Sequence, residues 1–212
     1  FEISFNQRII FINYLSMNKI FKFLITSLSI SVTLYALVVY SFLELGVAVH
    51  PGMKSNFQAH PIGIYLHIFA SLIALAIGPF QFNEKFRLNK IQVHRLLGKI
   101  YLISVLIGGL SGLYMSQYSF GGMISHSGFF TLAILWLATG YKAYHSIKNK
   151  NVKAHQYWML INFALTFAAV TLRTGLGIGF ASGTPFEVFY PYLAWLCWVP
   201  NLLVALVIAK RQ

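Results

Sequence analysis

Apolar residues run along this chain in long blocks, broken by short polar stretches. A helix needs about 20 mostly apolar residues to cross roughly 30 Å of hydrocarbon. Six blocks meet that length: Phe23 to Leu43, Ile62 to Phe82, Leu96 to Met115, Met123 to Tyr144, Tyr157 to Phe180 and Phe186 to Ala209. No connecting stretch is long enough to fold by itself outside a membrane. The pattern predicts an all-α integral membrane protein with six transmembrane helices in a single domain spanning 19–212. Residues 1–18 form an N-terminal tail expected to add little to the fold. Met17-Asn18-Lys19 opens a stretch that reads like a start, two lysines followed by an apolar run, as in an uncleaved signal-anchor.

Charge orders the helices. Fourteen of the 16 basic residues fall on one side: Arg8, Lys19 and Lys22, then Lys85 to Lys99, then Lys142 to Lys153, then Lys210 and Arg211. Only Lys54 and Arg173 fall on the other. By the positive-inside rule the basic side is cytoplasmic, with both termini there, as in a multi-pass protein of a cytoplasmic (inner) membrane. Composition agrees: 58% hydrophobic residues, 9% charged and a mean hydropathy of +0.68 leave too little polar surface for a soluble domain. The net charge of +12 sits in short clusters between apolar blocks, which argues for contact with the lipid bilayer and against nucleic acid. The single cysteine, Cys197, excludes an intrachain disulfide and a cysteine-built metal site.

Helices two to five hold the candidate chemistry. His67 and His126 lie near the outer ends of helices two and four, and His94 and His155 begin helices three and five at the inner side. The spacings are 27 and 29 residues. This order admits a parallel internal repeat about an axis along the membrane normal, giving a four-helix core with His67 opposite His126 and His94 opposite His155. Facing imidazoles on bundle helices are suited to hold an iron between them. Haem b is therefore the expected cofactor, and Arg95 is placed to balance a propionate near the inner pair. Arg173 falls 18 residues after His155, about 27 Å along a helix, which places it at the outer level. An arginine inside a membrane marks a functional site by default, for a propionate, a quinone head or another anion. Its alternatives are pairing with Glu187 or Glu44, or reaching to the interface. His50, His60 and His67 offer a weaker zinc or copper site. Gly78-Pro79 is expected to bend or end helix two. The tryptophans read as lipid-packing and interface residues, and the midplane reads as nearly free of polar groups.

The runs HIFASLIALAIGPFQF (67–82), HRLLGKIY (94–101), GG (121–122), HQYWM (155–159) and FALTFAAVTLR (163–173) resemble a family of predicted bacterial inner-membrane proteins of unknown function. The resemblance covers about residues 60–175. It implies a multi-helix membrane protein and supplies no activity. His67, His94, Arg95, His155 and Arg173 fall on the family's polar motif positions, whereas His126 lies outside them and Gln156 stands where the family tends to have Arg. In layout, the chain is also similar to the di-haem transmembrane b-type cytochromes that reduce ferric iron or recycle ascorbate. That likeness implies a membrane electron-transfer protein or reductase subunit, with quinone or another redox partner. The reading that competes with it is a non-enzymatic transporter or accessory binding protein whose histidines are structural.

Overall fold

Six helices are long and apolar enough to cross a membrane: Lys19–Phe42, Pro61–Gln81, Ile91–Ser116, Gly122–Lys148, Val152–Ala181 and Phe186–Ala209. The computed structural model describes the backbone of residues 5–210 and the side chains of residues 19–210 except Glu84. Ten helices and no strands occur among the described residues: α1 (Phe5–Phe42), α2 (Pro51–Ala59), α3 (Pro61–Gln81), α4 (Glu84–Asn89), α5 (Ile91–Ser116), α6 (Gly122–Lys148), α7 (Val152–Thr166), α8 (Ala168–Ala181), α9 (Phe186–Leu196) and α10 (Val199–Ala209). The protein is all-α, and the predicted spans match the observed ones to within a few residues. The expectation that residues 1–18 contribute little falls on side chains outside the described residues.

The fifth span runs from α7 into α8 with a one-residue irregularity at Phe167, whose amide still donates to the Phe163 carbonyl at the ordinary helical spacing (2.8 Å). In the sixth, Pro200 lies in the first turn of α10. It has no amide hydrogen to continue the ladder from α9, so the chain restarts after Trp198. In α3, Pro79 lies within the helix, which ends two residues later at Gln81. Gly78 is explained by packing: a Cβ there would collide with the Phe163 ring of α7.

α3 packs on α5, α5 on α6, α6 on α7, and α7 back on α3, which closes a ring of four. Around the ring, α3 lies opposite α6 and α5 opposite α7. α1 packs outside α3, α9 against α6 and α8, and α10 against α7. Tyr101, Trp136, Ala143, Met159 and Phe163 form the centre. Large apolar side chains such as Ile62, Ile103, Leu110 and Val207 face outward. In water this would be an aggregation surface; in lipid it costs nothing, because hydrocarbon meets hydrocarbon. The turn between α5 and α6 depends on Gly121. Its φ of +97° is left-handed, and a Cβ would press on Ser125 and Pro191.

Candidate functional site

The end carrying the basic clusters is called the basic end here, and the opposite one the distal end. In the distal half of the ring lies a cavity of about 370 Å³, roofed by α2. Its wall is mostly apolar, with Leu72, Leu75, Phe129, Leu132, Leu165 and Leu172 among the contributors. The polar side chains that interrupt it include His67 and Ser71 from α3, Thr166 at the end of α7, and Arg173 from α8.

Local sequence explains the position of His67. A Cβ on Gly112 of α5 would lie 2.8 Å from His67 Nδ1, so the ring fits against α5 only because residue 112 is glycine. There Nδ1 lies 2.8 Å from the Gly108 carbonyl. A carbonyl only accepts, so Nδ1 carries the hydrogen and Nε2 of the neutral ring is left as an acceptor or metal ligand. One turn on, Ser71 Oγ is buried and has no hydrogen-bond partner. Buried hydroxyls are normally satisfied, so the cavity wall keeps an unused hydrogen bond.

Arg173 lines the same cavity and is close enough for its charge to act on His67. Its Nη1 donates to the Ala169 carbonyl at 2.9 Å, and Tyr35 and Tyr40 of α1 stand nearby. No described carboxylate lies within 4 Å of it. The expected alternatives of pairing with Glu187 or Glu44 do not hold. Glu187 lies 3.8 Å from His50 Nε2, and Glu44 accepts from Gln58 Nε2 at 3.5 Å. His50 and Asn56 belong to the roof: His50 stacks on Phe186 at 4.0 Å, and Asn56 Nδ2 donates to the Tyr118 carbonyl at 2.8 Å.

The structure does not bring His126 into the cavity beside His67. Its Nε2 lies 2.9 Å from the Ser119 carbonyl, in the preceding turn. The next residues at helical spacing, Phe129, Ala133 and Trp136, do line the cavity. His126 therefore sits at the end of the correct face of α6, one turn too far out. His50, His60 and His67 are not gathered either. His60 stacks on Tyr118 at 3.8 Å and lies 3.0 Å from the Tyr114 hydroxyl. No group of three metal-binding side chains occurs among the described residues.

At the basic end, His94 and His155 start the opposite helices α5 and α7. His155 Nδ1 lies 2.9 Å from the Ala143 carbonyl of α6, so its Nε2 is left free, as in His67. His94 Nδ1 is buried without a partner. Arg87, His155 and Arg95 all act electrostatically on the His94 ring.

Between the two ends, the sequence reading needs correction. The midplane is not devoid of polarity. Tyr101 donates to Asn162 Oδ1 at 2.7 Å and lies 2.8 Å from Thr166 Oγ1, which also accepts from Trp136 Nε1 at 2.9 Å. Asn162 Nδ2 donates to the Trp136 carbonyl and to Thr139 Oγ1. Trp136, read as a lipid-packing residue, is 6% exposed and part of this network. Asn162 was the available signal: a carboxamide amid apolar residues of a span must find partners inside the bundle.

One family profile, described as a predicted membrane protein, matches residues 64–209. The chain belongs to the DUF2306 family. The matched region takes in His67, Gln81, His94, Arg95, His126, Asn162, His155 and Arg173, and so the whole four-helix ring. It leaves out α1 and α2, hence the roof of the cavity. No curated protein and no solved structure matches the chain. DUF2306 membership thus supports the fold and leaves the activity to be argued from the site.

Proposed function

We propose that this DUF2306 protein is a membrane electron carrier that holds a b-type haem in its distal cavity. The observation that carries the reading is His67. Its Nδ1 is taken up by a backbone carbonyl of the neighbouring helix, and its Nε2 is left for a metal in an apolar cavity that also holds an arginine without a carboxylate. A backbone partner on the second nitrogen is how ligating histidines are oriented. The donor set fits the group: an imidazole for iron, a guanidinium for a propionate, the spare Ser71 hydroxyl, and apolar walls for a flat macrocycle. Bound haem supplies a one-electron couple, which its axial ligand and surroundings tune. The chain's own part is to orient His67, to neutralise a carboxylate through Arg173, and to exclude water beneath the α2 roof. The basic end is taken as cytoplasmic, and quinone or another redox partner exchanges the electron.

The test is the visible spectrum of the full chain purified in detergent, oxidised and then reduced with dithionite. A haem Soret band that shifts on reduction and is lost in His67→Ala is the expected result. Protein that stays colourless after haem supplementation refutes the reading. Arg173 without a carboxylate would then favour the second reading, a non-enzymatic binding protein for lipophilic anions. That reading predicts saturable uptake of a fluorescent fatty acid that Arg173→Leu abolishes.

A further inference from the structure

Two unsatisfied groups lie about one helical turn apart along α5 at the other end of the bundle, away from the distal cavity. Gln81, the last residue of α3, is 7% exposed, and its Nε2 has no hydrogen-bond partner. Its Oε1 lies 3.5 Å from where a Cβ on Gly98 would stand. The amide therefore rests on the α5 face one turn beyond His94, whose Nδ1 is the second orphan. A buried donor left unmade is costly, so two unused donors one turn apart call for a partner. Across the ring, His155 has its Nε2 free and acts electrostatically on His94.

The surroundings select the sign of that partner. α5 and α7 begin here while α3 and α6 end here, so the helix dipoles alternate and the charged side chains set the sign. The first turn of α5 has no side-chain cap. Arg95 adds positive charge. Of the four acids in the chain, Glu84 opens α4 at this end, and Glu44 and Glu187 are engaged at the distal end.

We infer that the basic end holds an oxyanion-binding site, in which a phosphate-type group accepts from Gln81 Nε2 and His94 Nδ1 and faces His155 and the uncapped first turn of α5. This site is independent of the haem reading, because it uses none of the distal cavity. The phosphate chemistry has two sources, a soluble phosphate or the head group of an anionic phospholipid. The experiment separates them.

The full chain, with isotope-labelled histidine, is placed in phosphatidylcholine nanodiscs, and the His94 and His155 imidazole signals are followed by NMR. Inorganic phosphate is titrated in one series. Phosphatidylglycerol is added to the discs in the other, with no phosphate present. Saturable shifts in the first series assign a soluble ligand, and shifts only in the second assign a lipid head group. In either case Gln81→Leu should weaken binding about tenfold, the value of one hydrogen bond to a charged group. If Gln81→Leu fails to insert, Gln81→Glu takes its place and should abolish binding by repulsion. The inference is overturned if neither probe moves the His94 signals, or if the shifts survive loss of the Gln81 amide. A haem band lost in both His94→Ala and His155→Ala would also overturn it, in favour of axial ligation by this pair.

Discussion

A guanidinium inside a bilayer is tolerated only where the bundle gives it partners or a purpose. Arg173 has one carbonyl, two nearby tyrosines and no described carboxylate, so most of its donor capacity is left for a bound group. If that group is a carboxylate, the planar fork of arginine matters as well as its charge. Arg173→Leu should insert normally, on the evidence of unchanged detergent gel filtration, and lose the bound ligand. Arg173→Lys should retain it with affinity reduced about tenfold, since one hydrogen bond of a charge-assisted pair is lost. Ligand retained at full affinity by the leucine variant would reduce Arg173 to an interfacial anchor. His67 adds a subtler dependence at the same scale: its position rests on residue 112 having no side chain, which the histidine's own sequence neighbours do not reveal.

At the scale of elements, the question is what fixes four apolar helices in one register. Hydrocarbon solvates leucine as well as another helix does, so apolar contact alone specifies little. The network joining Tyr101 of α5, Trp136 and Thr139 of α6, and Asn162 and Thr166 of α7 specifies it for three of the four. Tyr101, Trp136 and Asn162 each donate to an acceptor on another helix, and slipping one helix by a residue would break several bonds at once. Asn162→Leu removes the hub at nearly equal volume. The expected cost is about 1–3 kcal/mol, seen as a melting temperature in detergent lowered by several degrees. Ser71→Ala is the control, because its hydroxyl has no partner in the protein, and it should leave the melting temperature unchanged. Equal melting for wild type and Asn162→Leu would mean that shape packing alone holds the ring.

For the whole molecule, the even number of spans puts both ends of the described chain on one side, together with nearly all the positive charge. Reporter fusions after Lys150 and after Lys210 should both read cytoplasmic, and one at Ser55 external, following the partition of 14 basic residues against two. An external signal at Lys150 would break the six-helix arrangement. α3 carries His67 and Ser71 to the distal cavity and, about three turns after Ser71, Gln81 to the basic end, so one helix serves both ends at different depths. The distal cavity and the basic-end donors are thus separate places, divided by the satisfied network at the midplane.

Span number, span limits and the asymmetry of charge were all legible in the chain, because bilayer thickness turns composition directly into helix length. The depth of His67 and Arg173 was legible for the same reason: a helix advances a fixed distance per residue, so position in a span is depth in the membrane. Direction around the helix axis was not. Whether His126 turns into the cavity or bonds the Ser119 carbonyl, whether Trp136 meets lipid or Thr166, and whether Gln81 finds a partner all depend on which helices are neighbours. In a membrane both sides of a helix are apolar, so the amphipathic signal that marks the inner face of a soluble helix is missing. Only the packed ring decides which face is inside.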